Sequence, residues 1–313
     1  MGPPGTGKTT TLLNLVDEFI QQGIRPKQIG YFSFTKKAAT EAATRAAEKF
    51  SLDVENDLDN FRTLHSYAFA QLGMTKEKMM GRDDYKEFGE KCGIPIKVAK
   101  FSDSDGTFNS DNEYLTIINT AIVKRKDLLE YYDSRQNILD IERNTLYLLA
   151  EELKRFKQEK RLKDFNDLLL DFIAKETTPS FKVLFIDEAQ DLSLLQWEMV
   201  RKLWSNAEKT YIAGDDDQAI FKWAGADVDH FIALKEEVND IKILDQSYRI
   251  PGGPIHELSQ KIIGQVQNRF DKEYKPRTEE GILRRYSDVT QVDMSKGNWL
   301  VLSSANHFLD SVK

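Results

Sequence analysis

Cysteine is nearly absent: the single thiol, Cys92, excludes an internal disulfide and fits a reducing compartment. The four histidines, His65, His230, His256 and His307, are scattered without partners at metal-ligand spacing, so no zinc-type centre is expected. Long apolar runs are missing as well. No stretch approaches the roughly 18 consecutive apolar residues that would cross a bilayer, so no membrane partner is expected. Neither repeats nor low-complexity segments occur. What is present is an ordinary globular composition over 313 residues, 40% hydrophobic and 30% charged. That length suffices for two domains, or for one with a large insertion. The net charge of −7 argues against a uniformly basic surface, although phosphate contacts need only a local basic groove. Lys36-Lys37 and the run Lys154, Arg155, Lys157, Lys160, Arg161 and Lys163 could supply one. Each also reads as a solvated helix face.

Residues 2–9, Gly2-Pro3-Pro4-Gly5-Thr6-Gly7-Lys8-Thr9, form a complete G-x-x-x-x-G-K-[ST] loop. Its glycines let backbone N–H groups close around phosphate oxygens, Lys8 reaches the β- and γ-phosphates, and the Thr9 hydroxyl ligates Mg²⁺. With Thr10, these eight residues are the expected nucleotide-binding group. A charged segment followed by an apolar one does not open the chain, so no secretory leader is expected. Downstream, Phe185-Ile186-Asp187-Glu188-Ala189-Gln190-Asp191 reads as an apolar strand ending in carboxylates. Asp187 suits the metal, and Glu188 suits polarisation of an attacking water. Asp191 reads as a helix-dipole partner. The pairing of loop and acidic strand end indicates an ATP-driven machine that uses ATP and Mg²⁺.

Apolar spacing predicts a helix over 9–22, a strand over 29–34 and an alanine-rich helix over 36–50. The alternation implies a parallel sheet with helices on both faces. From 74 to 165 charged amphipathic stretches dominate, including 113–132 and 141–157, broken by a polar loop at 102–111, and the region reads as a mostly helical insertion. The α/β rhythm resumes with strands at 182–186 and 210–213 around a helix at 194–204. It continues with a strand at 241–244 and a helix at 255–270. Four segments follow: 1–73 and 166–240 as one lobe, 74–165 inserted in it, and 241–313 as a second. The strand that normally precedes a phosphate loop has no residues before Met1, which is read as truncation.

Residues 214–226, Gly214-Asp215-Asp216-Asp217-Gln218-Ala219-Ile220-Phe221-Lys222-Trp223-Ala224-Gly225-Ala226, follow the 210–213 strand. Gln218 could reach a γ-phosphate or its attacking water. In an extended segment Phe221 and Trp223, two apart, would face one side as a base-stacking platform; both could equally be core.

With these segments in order, the chain resembles a superfamily 1A helicase of the UvrD/Rep/PcrA type. The matching segments are GPPGTGKT at 2–9, FTKKAATEA at 34–42, TLHS at 63–66, DFNDLL at 164–169, DEAQD at 187–191, GDDDQAIFKWAGA at 214–226 and QSYRIP at 246–251. The resemblance implies a RecA-like P-loop NTPase sheet with a helical insertion and an incomplete second RecA-like lobe. It implies an ATP hydrolase and DNA helicase that moves 3′ to 5′ on single-stranded DNA, also meeting single-strand/duplex junctions, as a monomer in the cytoplasm of a bacterial, archaeal or phage-infected cell.

Residue by residue, the resemblance gives Lys8 and Thr9 to phosphate and Mg²⁺, Asp187 to the metal and Glu188 to water activation. Gln218 would sense the γ-phosphate, Arg249 would act as an arginine finger from the second lobe, and Tyr248 would stack on adenine. Phe34, Thr35, Lys36, His65, Phe221 and Trp223 would line the single-strand path. Lys36 stands where asparagine is common and Phe221 where tyrosine is usual, while Lys222 and Ala224 replace frequent arginines. A strand expected at 298–302 would begin the second lobe's sheet, and the family's later motifs have no counterpart. The chain alone is therefore expected to bind nucleotide weakly, if at all, and not to unwind duplex. Two rival readings are a non-catalytic nucleotide- or DNA-binding module and the motor part of a helicase–nuclease.

Overall fold

The computed structural model describes residues 1–54, 56–102, 107–135, 141–303 and 309. His307 and the middle of the polar loop expected at 102–111 fall outside these residues. The strands are β1 (Ile29–Ser33), β2 (Phe61–Thr63), β3 (Ala99–Ser102), β4 (Thr107–Ser110), β5 (Phe181–Asp187) and β6 (Ala207–Ile212). The first six helices are α1 (Lys8–Gln21), α2 (Lys36–Phe50), α3 (Leu64–Gln71), α4 (Arg82–Cys92), α5 (Glu113–Val123) and α6 (Leu128–Asp133). The remainder are α7 (Arg143–Lys160), α8 (Phe165–Ala174), α9 (Leu194–Trp204), α10 (Val228–Ala233) and α11 (Pro254–Ile263).

A parallel sheet runs in the order β2-β1-β5-β6. Parallel strands covered on both faces read as near-continuous apolar runs, and β1 is buried at every position while β5 exposes only Lys182. On one face Leu12, Val16 and Phe19 of α1 and Ala42, Ala43 and Ala46 of α2 pack against Ile29, Tyr31, Val183 and Phe185. On the other, Phe32, Leu184 and Ile186 meet Tyr67 of α3, Phe172 of α8 and Trp197 of α9. This is the α/β class that the sequence predicts. No helix among the described residues is long and apolar enough to cross a membrane.

The inserted helices carry a core of their own, built from Tyr85, Phe88, Leu115, Ile118, Leu146, Leu149 and Phe156. The chain enters and leaves this unit side by side: Met80 N donates to Lys163 O at 2.8 Å, and Lys163 N to Lys78 O at 2.8 Å. The amphipathic stretch 113–132 holds two helices, because Arg125 turns the chain at φ 52° and Asp127 caps α6. Part of the polar loop is the antiparallel pair β3–β4.

Three later expectations are corrected. Residues 241–244 are not a strand among the described elements; among the described residues their backbone hydrogen bonds go to Met1, with the Met1 ammonium donating to Lys242 O and Leu244 N to Met1 O, both at 2.9 Å. One partner residue is too little for a ladder. The helix expected over 255–270 stops at Ile263, and the following residues turn back toward the first lobe. Residues 298–302 form no strand either: Leu300 and Leu302 are 82% and 81% exposed, and among the described residues no neighbouring segment takes their backbone hydrogen bonds.

Candidate nucleotide site

Gly5 and Gly7 adopt φ 73° and 82°, the left-handed region that glycine reaches at little cost, and so curl the loop into α1, whose first residue is Lys8. The backbone N–H groups of Gly5, Gly7, Lys8 and Thr9 find no acceptor among the described residues. Free N–H groups at a helix N-terminus, with the positive end of the helix dipole, suit an anion. The buried Lys8 ammonium rests on loop carbonyls, Gly2 O at 2.7 Å and Pro3 O at 3.4 Å. Thr6 Oγ1 donates to Pro3 O at 2.9 Å and stiffens the same turn, while Thr10 lies exposed on α1.

Beneath the loop lies Asp187, only 1% exposed at the end of β5. Its Oδ2 accepts from Thr9 Oγ1 at 2.9 Å and from Tyr31 Oη at 2.8 Å, and its Oδ1 accepts from Glu188 N at 3.0 Å. Burial pushes this carboxyl above the usual range, Glu188 adds to the push, and the Tyr31 and Thr9 hydrogen bonds oppose it. A buried carboxylate paired with a hydroxyl is the hard oxygen donor set that Mg²⁺ takes, so the residues fit the metal.

Glu188 occupies the left-handed region at φ 52°, a conformation that costs a non-glycine residue about 1–3 kcal/mol and must be held by its surroundings. Gln190 holds it. The Gln190 Nε2 donates to Glu188 Oε2 at 2.8 Å and to Asp191 Oδ2 at 3.2 Å, and its Oε1 accepts from Asp215 N at 2.9 Å. The acidic turn and the 214–218 segment are thus tied by one buried amide. Asp191, read from the sequence as a helix-dipole partner, lies in the 3₁₀ turn 189–191 ahead of α9, whose cap is Ser193 Oγ, accepting from Gln196 N at 3.3 Å. Burial and the nearby Glu188 raise the Asp191 carboxyl to about 7, and its Oδ1 has no hydrogen-bond partner among the described residues.

Gln218 Nε2 donates to Asp215 Oδ2 at 2.5 Å. The fully buried Lys272 Nζ contacts Asp215 Oδ1 at 3.1 Å, Asp216 Oδ1 at 2.5 Å and Asp217 Oδ2 at 2.8 Å. Burial alone would lower the Lys272 ammonium, but the three carboxylates more than reverse that and raise it. Arg269 adds a two-pronged contact to Asp217 at 3.0 and 2.6 Å. These side chains carry the segment after α11 back onto the Gln218 turn.

The same returning chain lies on the phosphate loop. Ser247 Oγ donates to Pro4 O at 3.0 Å, Tyr248 N to Gly5 O at 2.8 Å and Tyr274 Oη to Pro4 O at 3.0 Å. A Cβ on Gly5 would come within 2.4 Å of Arg249 Cβ. Lys8, Thr9, Asp187, Glu188, Gln218 and the backbone of Arg249 are therefore brought into one region, while the Arg249 and Tyr248 side chains remain exposed.

The residues expected on a single-strand path divide. Phe34 is buried and packs on Phe221 at 5.1 Å between ring centroids; Phe221 lies 6.3 Å from Trp223, which is 62% exposed. Residues 222–224 form a 3₁₀ turn closed by Gly225 at φ 106°, not the extended segment expected, so turn geometry rather than strand alternation sets the rings together. Thr35 caps α2 by accepting from Ala38 N at 3.2 Å, and Lys36 is exposed. His65 is buried between Phe101 and Phe165, 4.9 and 5.8 Å away, and burial lowers it to about 4, so it is neutral. Four members of the basic run are neutralised: Arg155 by Glu152, Lys157 by Asp164 and Asp167, Lys160 by Glu87 and Lys163 by Asp171. Sequence reasoning missed Tyr31, Gln190, Arg269 and Lys272. Strand register could have flagged Tyr31; Arg269 and Lys272 reach the site only through the chain's return.

Replacing Lys272 with methionine should destabilise the chain by about 3–5 kcal/mol in urea, because three buried carboxylates lose their counter-charge. A loss below about 1 kcal/mol would contradict this role. Asp191 gives a pH signature. Its folded pKa of about 7 exceeds the unfolded value of about 3.9, so the folded chain holds the extra proton and stability falls as pH rises between the two. Asp191→Asn should remove that fall, gaining stability over wild type at pH 8 but not at pH 4. An equal difference at both values would refute it.

The UvrD/REP helicase N-terminal domain family model matches residues 1–239. The chain is 27% identical to ATP-dependent DNA helicase Rep of Buchnera aphidicola over 290 residues, 86% of this chain and 41% of that protein. It is 24% identical to Rep of Escherichia coli over 295 residues, with 86% and 41% covered. A probable DNA helicase of Mycoplasma pneumoniae is 27% identical over 283 residues, 78% of this chain and 49% of the relative. The chain thus spans about two fifths to half the length of these relatives. Matched by the family model over most of its length, the chain belongs to the UvrD/REP helicase N-terminal domain family.

Proposed function

We propose that this chain is the nucleotide-hydrolysing part of an ATP-driven DNA helicase that tracks 3′ to 5′ along single-stranded DNA. One observation carries the reading: the phosphate loop is tied from below to Asp187 through Thr9 and contacted by the Ser247 hydroxyl and the Tyr248 backbone N–H. In this reading the free loop N–H groups and Lys8 bind the β- and γ-phosphates, with Gly2, Pro3, Pro4, Gly5, Thr6, Gly7 and Thr10 shaping the loop and first helical turn. Thr9 and Asp187 hold Mg²⁺, which when bound neutralises charge on the phosphate oxygens.

Glu188, kept in its strained turn by Gln190, orients and deprotonates the attacking water. Gln218 answers to the γ-phosphate and shares Asp215 with Lys272, so its position is linked to the docked segment. Arg249 supplies positive charge to the transferring phosphoryl group, and the exposed Tyr248 ring stacks on the base. Exposed Trp223 heads a ring series through Phe221 to Phe34 that suits stacking of unpaired bases, with Lys36 beside it for the sugar–phosphate backbone. Neutral and buried, His65 lines the same small cavity as Phe34 and serves this path by packing rather than by charge.

The test is phosphate release with and without single-stranded DNA, in wild type and Glu188→Gln. Wild type should hydrolyse ATP faster with DNA, and the variant should lose roughly 10²–10⁴-fold in kcat while binding a fluorescent ATP analogue about as tightly. Equal rates in both proteins, or nucleotide binding without any hydrolysis, would favour a non-catalytic module instead.

A further inference from the structure

Among the groups that contact Asp187, Tyr31 comes from neither the phosphate loop nor the acidic turn. It sits on β1 directly opposite Phe185 of β5, while Ser33 faces Asp187 two residues further along. In paired parallel strands residues i and i+2 point to one face and lie about 6.6 Å apart along the strand. A tyrosine opposite Phe185 can therefore lean forward and place its hydroxyl at the level of Asp187, where Oη to Oδ2 is 2.8 Å. A phenylalanine in the same pose would stop short of it.

The ring is fixed before the hydroxyl is considered. It stacks on Phe61 at 5.3 Å with an 8° tilt and on Phe185 at 6.0 Å with a 29° tilt, and the residue is fully buried. A rigid ring makes its terminal hydroxyl a fixed donor. Among the described residues Asp187 receives three protein donors, and a carboxylate offers about four acceptor sites, so one on Oδ1 stays open there. Thr9 is the other side-chain donor to Oδ2, yet its oxygen is also the hydroxyl that suits a divalent cation. Only the Tyr31 donor is free to stay on Oδ2 when Thr9 turns to other work.

We propose that Tyr31 is a positioning residue that holds the Asp187 carboxylate in the orientation needed to receive Mg²⁺ with nucleotide. The inference rests on the nucleotide site proposed above and extends it to a residue that touches neither ligand. Outer partners that orient a metal-binding carboxylate typically change metal affinity by about 10–100-fold when removed.

The test is Tyr31→Phe, which keeps the ring stack and deletes one oxygen. A fluorescent non-hydrolysable ATP analogue is titrated into each protein across a range of Mg²⁺ concentrations and in EDTA, with thermal unfolding followed in parallel. The Mg²⁺ concentration for half-maximal enhancement of binding should rise about tenfold. Affinity in EDTA should stay close to wild type, while the unfolding midpoint falls modestly because the buried carboxylate loses one donor. Superimposable Mg²⁺ curves overturn the proposal, as does an equal loss of affinity with and without Mg²⁺, which marks packing alone. Wild type that binds no nucleotide at any Mg²⁺ concentration overturns the nucleotide site itself, and Tyr31's role with it.

Discussion

The arrangement depends on one buried carboxylate. Asp187 is the point at which three parts of the chain become a single object: α1 through Thr9, β1 through Tyr31 and the strained acidic turn through the Glu188 amide. A carboxylate nearly sealed from water needs hydrogen-bond donors to remain there, so its demand for donors fixes the loop and the sheet relative to each other. The cost of burying it is visible in its raised pKa, and a cation would relieve the same cost. Stability and ligand preference follow from one constraint.

A second network repeats this logic on the far side of the site. Three consecutive aspartates surround one buried ammonium, and the ammonium comes from a segment more than fifty residues downstream. Asp215 belongs to both networks: its backbone N–H is held by Gln190, which also holds Glu188, and its carboxylate meets Gln218 and Lys272. A displacement of the returning segment must therefore be felt at the Gln218 turn, and from there at the acidic turn. Such a chain of discrete contacts is the physical form in which movement in one part of a molecule can reach a phosphate site in another.

The sequence made the sheet legible where the physics is local. The apolar runs of β1 and β5 and the helical spacing of α1, α2 and α9 each follow from burial of their own side chains. Legibility ended where a partner decides the outcome. Residues 241–244 and 298–302 carry strand-like patterns, yet among the described residues no neighbouring strand pairs with them and they form none. The 214–226 segment was located by its residues, but its turn was not, because Gly225 and the Phe221–Ala224 hydrogen bond override the extended reading. In the site, the loop and acidic pair have fixed spacings that any reader can find. Tyr31 needs the strand register, and Lys272 needs the whole tertiary fold, so neither carries a local signal.

The central claim is that the loop at 2–9, the Asp187–Glu188 turn and the chain at 247–249 enclose one nucleotide. Photolabelling with an ATP analogue carrying an azide on the base, followed by peptide mapping, tests it most directly. Label on the peptide containing Tyr248, suppressed by excess ATP, is the expected result. Label that instead falls within the inserted helices, or that excess ATP leaves unchanged, would contradict the account.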